Sequence, residues 1–350
     1  MTAARLVATA QELLAGDKGL LAMDESKATC DKRFAAEGIP QTGAMRRAWR
    51  ELIVTTPGLE TCISGAILHD ETIRQTTSDG TPFAKALAAR GIIPGIKVDT
   101  GAKALAGRPG EKITEGLDGL RDRLRDYVAM GARFAKWRGV IAIGPGMPSR
   151  SCIEANAHAL ARYAALAQES GLVPVVEPEV LMDGDHSMED CAAASEAVLQ
   201  STFAQLHRQG VLPEGVILKP PMVLPGLSGA WQATADEVAA ATLACLARNV
   251  PAAVAGIAFL SGGQSGEAAS ARLNAINLAA KAQGARAPWP LAFSFARAIQ
   301  HPALGLWHGE AANVAAAQRA LLHRAECNRA ARRGEYTAAM EPPQRMTGRQ

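Results

Sequence analysis

Short apolar runs that recur at a near-constant interval are what most restrict the fold of this chain. Eight of them fall at 19–23, 65–68, 94–98, 133–137, 173–177, 215–218, 256–260 and 291–294. Each is too short for a helix and is bounded by turn residues, so each reads as a buried strand. Their ends lie roughly 30 to 45 residues apart, room for one helix and two loops per strand. Helix signals fall between them. Ile113, Leu117, Leu120, Leu124 and Val128 form an apolar stripe that ends at Gly131, and Ile153, Leu160, Tyr163 and Leu166 form another closed by Gly171. Thr234 followed by Glu237 reads as a capping box that opens a helix through Leu246. Strands alternating with helices predict a parallel sheet, and eight such units predict closure into a (β/α)8 TIM barrel. An open doubly wound sheet is the alternative, but no G-x-G-x-x-G follows an early run to support a dinucleotide-binding version.

A barrel of this kind accommodates the length as one domain. Of the 350 residues 48% are hydrophobic and 20% charged, an ordinary globular profile. The expected layout is a single barrel domain over 1–334 and a C-terminal tail over 335–350, polar, proline-containing and mobile. The barrel is led by a helical N-terminal extension, in which Leu6, Leu13 and Leu14 keep helical spacing. Arg5, Gln11 and Glu12 interrupt that stretch, which therefore lacks the apolar run of a signal peptide. No segment approaches the ~18 consecutive apolar residues of a membrane span. The net charge of +3, from 37 Lys+Arg against 34 Asp+Glu, gives no reason to expect a nucleic-acid or membrane partner. Six scattered cysteines without C-x-x-C spacing read as reduced core residues, and a cytoplasmic location follows as the expectation.

The ionisable residues are placed unusually. A buried strand normally carries none, because an unpaired charge in a low dielectric is expensive. Here nearly every run ends on one: Asp24, Lys97, Lys136 with Arg138, Glu177 with Glu179, and Lys219. The C-terminal rim of a parallel barrel is where active sites are built. In Lys136-Trp137-Arg138 both cations share one face and Trp137 takes the other; Glu177-Pro178-Glu179 repeats the pattern with carboxylates. For any single residue a structural ion pair would explain the charge. The repetition over five strand ends instead predicts a site for an anionic substrate with acid–base chemistry.

Lys219 closes an apolar run and is followed by Pro220 and Pro221, which stop the strand. Desolvation, with Lys136 nearby, is expected to disfavour its ammonium form, and a neutral lysine amine attacks a ketone to give an imine. Glu177 or Glu179 would then remove water from the carbinolamine. A lysine snorkelling from a strand end is the plain alternative. After the seventh run, Ser261-Gly262-Gly263-Gln264-Ser265-Gly266 leads toward a helix and reads as a phosphate cradle. Ser294 and Arg297, after the eighth, add a hydroxyl and a guanidinium where barrels often hold phosphate. Lys97, Arg138 and the Ser26-Lys27 loop form a second cationic group for a second phosphate. The seven histidines show no H-x-x-x-H or H-x-H spacing, and no metal or other cofactor is expected.

Seven segments, in order, resemble the class I fructose-bisphosphate aldolase family over about residues 10–336. They are Leu21-Ala22-Met23-Asp24-Glu25-Ser26, Gly95-Ile96-Lys97-Val98-Asp99, Phe134-Ala135-Lys136-Trp137-Arg138 and Val175-Val176-Glu177-Pro178-Glu179. Leu218-Lys219-Pro220, Phe259-Leu260-Ser261-Gly262-Gly263-Gln264-Ser265 and Phe293-Ser294-Phe295-Ala296-Arg297 complete the set. The resemblance implies reversible cleavage of a phosphorylated ketose, fructose 1,6-bisphosphate, through a Schiff base on Lys219. It implies that Glu177 moves protons around carbinolamine and imine, that Asp24 takes the C4-hydroxyl proton aided by Lys136, and that Glu179 tunes the cluster. Ser261, Gly262, Gly263 and Arg297 would hold the phosphate of the dihydroxyacetone phosphate half, and Lys97, Arg138 and Ser26 the other. It also implies a metal-free enzyme assembled as a homotetramer.

Three positions depart from the family pattern: Ala296 where glycine is general, Pro221 where asparagine is usual, and Gly348-Arg349-Gln350 where many members end in tyrosine. The first is expected to loosen backbone approach to a phosphate, the last to slow enamine protonation. Two other functions stay open at this point, a transaldolase-like Schiff-base barrel acting on a monophosphate and a non-catalytic scaffold barrel.

Overall fold

The computed structural model describes residues 3–282 and 287–341. The strands are β1 (Gly19–Ala22), β2 (Ile63–Leu68), β3 (Ile93–Lys97), a hairpin of β4 (Gly101–Ala104) and β5 (Lys112–Glu115), β6 (Phe134–Ile141), β7 (Val173–Val180), β8 (Ile217–Leu218), β9 (Gly256–Phe259) and β10 (Leu291–Phe295). Eight of them, all parallel, close in the order β1-β10-β9-β8-β7-β6-β3-β2. The structure is thus the (β/α)8 barrel that the spacing predicts, not an open sheet. The seam is made by Leu20 beside Ser294 and Leu21 beside Phe295.

Twelve helices are described: α1 (Ala3–Leu14), α2 (Lys27–Ala36), α3 (Gly43–Val54), α4 (Asp70–Ile73), α5 (Phe83–Ala89), α6 (Leu120–Ala129), α7 (Arg150–Glu169), α8 (Met188–Arg208), α9 (Ala235–Asn249), α10 (Gly266–Ala282), α11 (Arg297–Trp307) and α12 (Val314–Arg333). The capping box at Thr234 and Glu237 opens α9, with both reciprocal bonds formed. The first apolar stripe is only half a helix. Ile113 lies in the β4–β5 hairpin and α6 starts at Leu120, because Gly116 (φ +122°) and Gly119 (φ +65°) hold left-handed backbone that breaks helical propagation.

At the N-terminal end of the barrel α1 acts as a plug. Leu6, Ala10, Leu13 and Leu14 join Leu20, Ile67, Phe134, Val173, Val175 and Ile217 in one apolar cluster. Glycines in the strands make room for it. A Cβ on Gly65 would sit 2.6 Å from Leu13, and one on Gly95 only 2.2 Å from the Phe134 ring. Around the outside, the larger apolar layer joins the outer strand faces to the helices. The last helix reaches back to the first: Arg332, on α12, donates to the Leu14 carbonyl at 2.5 Å and to that of Lys18.

The expected mobile tail needs correction over its first part. Residues 335–341 are anchored at Tyr336 and Glu341, with the Tyr336 N–H donating to Asn274 and the Tyr336 hydroxyl to Glu341, which also pairs with Arg324. A polar composition was the reason to expect mobility, and these specific hydrogen bonds offset it. Residues 342–350, including the end at Gly348-Arg349-Gln350, lie outside the described residues. All six cysteines are buried and free.

Candidate active site

The closed ring decides which strand ends meet. β6 extends to Ile141 and β7 to Val180, past the apolar runs that announce them. In β6, Trp137 points outward and stacks on Tyr163 of α7, ring centroids 5.6 Å apart. Lys136 and Arg138 therefore face the barrel axis. In β7, Glu177 and Glu179 take the inward positions while Pro178 borders a small apolar cavity against Ser195 and Leu199 of α8. Lys219 follows β8 directly, its N–H extending the ladder to the Val176 carbonyl at 2.8 Å.

Asp24, Lys136, Glu177 and Lys219 are each no more than 8% exposed, and they form one chain of alternating charge. The Lys136 amine lies 2.7 Å from Asp24 and 2.8 Å from Glu177 Oε2, while Glu177 Oε1 lies 3.0 Å from the Lys219 amine. Burial alone would raise the Asp24 carboxyl. The charges of Lys136 and Lys219 overrule it and hold the group well below the ordinary carboxylate range. Burial likewise disfavours the Lys136 ammonium, but Asp24 and Glu177 drive its pKa well above that of a free lysine. Glu177, raised by burial, is pulled down by Lys136 and Lys219. Lys136 is near Lys219 as expected, with the Glu177 carboxylate shared between the two amines. β7 lies between β6 and β8 in the ring, so a β7 carboxylate intervenes between the two amines.

This chain floors an open cleft of about 740 Å³, lined also by Ser26, Lys97, Arg138, Glu179, Ser261, Gly262, Ser294 and Arg297. In the ring order β9 and β10 stand four strands from β3 and β6 respectively, on the opposite wall. Lys97 and Arg138 thus face the β9 and β10 loops across the reacting centre, whereas Ser26 follows β1, the ring neighbour of β10. On one wall, Arg297 donates to the Gly262 carbonyl at 2.5 Å, and the Ser294 hydroxyl is buried with no hydrogen-bond partner among the described residues. Gly262 is held at φ +64°, which favours glycine, and a Cβ there would meet the Met182 side chain at 2.3 Å and have to displace it. Gly263 does not line the cleft, since its N–H is turned into the loop toward the Ser261 carbonyl at 2.9 Å. On the other wall Lys97 pairs with Asp99 and Arg138 with Glu179, so both cations have carboxylate partners at rest. Ser26 caps α2, accepting from the Thr29 N–H at 3.3 Å. Lys27 points away to Glu71 at 3.8 Å.

Several lining residues were not legible in the sequence. Thr29, Lys32 and Arg33 come from α2, and Arg33 pairs with Glu25 at 2.5 Å. The signal available was a cation pair six residues, nearly two helical turns, after Ser26-Lys27. His69 also borders the cleft, its Nδ1 accepting from the Glu71 N–H at 3.2 Å. Burial, then Lys97 and Arg50, lowers its pKa.

The comparisons with known proteins agree with this geometry. The family described as fructose-bisphosphate aldolase class-I matches residues 5–348. The chain belongs to the class I fructose-bisphosphate aldolase family. A probable fructose-bisphosphate aldolase class 1 from Xanthomonas campestris pv. campestris is 55% identical over 337 residues, 96% of this chain and 99% of that one. The cytosolic fructose-bisphosphate aldolase 6 of Arabidopsis thaliana is 49% identical over 331 residues, 95% of this chain and 91% of the relative. A solved fructose-bisphosphate aldolase from Plasmodium falciparum, in complex with TRAP and a small-molecule inhibitor, superposes with a TM-score of 0.93 at 45% identity, covering 96% of each chain. Class I aldolase membership sets aside the transaldolase-like and scaffold readings. Ala296, which departs from the family pattern, lines the cleft with φ −110° and ψ −87° at the N-terminus of α11.

Proposed function

We propose that Lys219 carries the Schiff base of this aldolase and that Glu177, Lys136 and Asp24 manage its protons. The reaction is reversible cleavage of fructose 1,6-bisphosphate to dihydroxyacetone phosphate and glyceraldehyde 3-phosphate, which class I enzymes run through a lysine imine. The observation that carries the assignment is the buried Asp24–Lys136–Glu177–Lys219 chain, because each neighbouring pair is within reach of a proton transfer. Glu177 takes the proton from the Lys219 ammonium, leaving an amine that attacks the C2 carbonyl. It then returns that proton to the departing hydroxyl of the carbinolamine, and water leaves as the protonated imine forms. Asp24, ionised and oriented by Lys136, takes the C4-hydroxyl proton. The C3–C4 pair moves into the iminium, giving the enamine and releasing glyceraldehyde 3-phosphate. Protonation at C3 and hydrolysis free dihydroxyacetone phosphate.

Ser261, Gly262, Ser294 and Arg297 hold one phosphate, with Lys97, Arg138 and Ser26 holding the other. Support for this division is the placement of Lys97 and Arg138 on the wall opposite Ser261, Gly262, Ser294 and Arg297, with Ser26 between the two walls, after β1. Glu179 keeps Arg138 in place between turnovers. Fructose 1-phosphate, which leaves one wall unfilled, should be cleaved with lower kcat/KM than the bisphosphate. The homotetramer rests on the family resemblance, and light scattering of the purified protein tests it; the cytoplasmic location rests on the six free, buried cysteines. No described helix is long and apolar enough to cross a membrane.

Borohydride added with dihydroxyacetone phosphate should leave a stable mass adduct on the Lys219 peptide and abolish turnover, with EDTA making no difference to trapping. An inactivated enzyme whose Lys219 peptide is unmodified would remove the assignment.

A further inference from the structure

Away from the cleft, α12 and the segment beyond it bring three unlike donors together. His323 and Cys327 lie one helical turn apart and project from the same face. Glu341 returns over them, and one donor atom from each residue falls within 4.8 Å of the others. We infer that His323, Cys327 and Glu341 form a binding site for a zinc-class divalent ion, with water in the fourth position. This site is separate from the Schiff-base chemistry.

The spacing fits that ion. Ordinary Zn–N and Zn–S bonds in a tetrahedron place nitrogen and sulfur ~3.5 Å apart, and nitrogen and oxygen ~3.3 Å apart. The His323 Nε2 to Cys327 Sγ distance is 3.6 Å, and His323 Nε2 to Glu341 Oε2 is 3.9 Å. The first already matches, and the second closes with a carboxylate movement of about half an ångström. Glu341 is braced as metal-ligating carboxylates usually are. Its Oε1 accepts from Arg324 and, at 2.8 Å, from the Tyr336 hydroxyl, which leaves Oε2 directed toward the imidazole. A thiol–imidazole hydrogen bond would account for the 3.6 Å pair alone. It would leave Glu341 Oε2 too far from the ring to accept a hydrogen bond from it. A thiolate, an imidazole and one carboxylate select zinc-like ions over magnesium or calcium. The His323 side chain is 36% exposed, which gives the ion and its water a way in from solvent. Binding releases the Cys327 thiol proton to solvent and pins residues 335–341 onto α12.

Cobalt(II) is the probe, because a cobalt–thiolate bond absorbs in the near ultraviolet and reports cysteine ligation directly. Full-length protein freed of metal by dialysis should take up one cobalt per chain with that absorption, and one equivalent of zinc should displace it. His323→Ala and Glu341→Gln should each weaken cobalt binding roughly tenfold or more. Cys327→Ser should abolish the band. Cys327 is buried, so if that variant fails to fold, the half-exposed His323→Ala still decides the matter. A wild-type protein with no thiolate band, or a band unchanged in both His323→Ala and Glu341→Gln, would overturn the proposal.

Discussion

The two ends of the barrel are built from the same eight strands and could hardly differ more. At the N-terminal end Leu6, Leu13 and Leu14 of α1 press into the space left by strand glycines, and the residues below them are apolar. At the C-terminal end the same strands deliver Asp24, Lys136, Glu177 and Lys219, equally buried and all ionisable. The comparison shows how one fold keeps stability and chemistry apart. The apolar plug supplies burial without directional demands. The charged end survives desolvation only because each charge has a neighbour of opposite sign, and deleting one leaves the next uncompensated.

The sharpest way to break this contrast is at the amine itself. Lys219→Arg keeps a cation beside Glu177 but cannot form an imine, so turnover should fall by at least about 10⁴-fold. The melting temperature should move only a few degrees, checked by steady-state cleavage and circular dichroism. Next in size is Lys136→Met, which leaves Asp24 and Glu177 without their shared cation and should cost about 3–5 kcal/mol at pH 7. The sign of its pH dependence follows from the carboxyls. In the wild type Asp24 is held below its ordinary value, so its stabilising contribution is complete above about pH 4 and is lost only as acid goes lower. In the variant burial acts with the nearest cation gone, raising both carboxyls, and their penalty shrinks as acid neutralises them. Urea denaturation should show the gap between the two proteins narrowing from pH 7 to pH 5.

At the opposite end Leu13→Ala should cost about 2–5 kcal/mol through the cavity left under Gly65. The kcat per folded molecule should stay within a factor of about two; a larger loss would mean that the two ends are not independent. The smallest effect is expected at Ala296→Gly. Removing a methyl from the cleft wall lets backbone approach a phosphate more closely, so KM should fall by no more than about threefold, an energy below ~1 kcal/mol.

Much of the barrel was legible because buried parallel strands need apolar runs, and these recur at a spacing that one helix fills. The ends of β6 and β7 were less so, since Arg138, Glu177 and Glu179 interrupt apolarity while the strands continue to Ile141 and Val180. The β4–β5 hairpin was missed for a related reason. Its outward residues are polar, and Ile113 falls at helical spacing from Leu117 by coincidence of period. Charged strand ends pointed to the cleft, but sequence order does not say which side chains become neighbours across a ring. Hence Glu177 between the two lysines, and the pairing of Lys97 with Asp99, emerged only from the closed arrangement. Lys32 and Arg33 were invisible for the opposite reason, lying on a helix whose face toward the cleft is set by how α2 packs.

The seam between β1 and β10, reinforced by Arg332 on the Leu14 carbonyl, has a consequence for biogenesis. A ribosome presents β1 early, yet one partner of β1 is not made until Leu291–Phe295 and its clasp not until α12. The opening strand must therefore wait, unpaired on one edge, until about 270 further residues have been made, and the native cylinder can shut only after β10 has emerged.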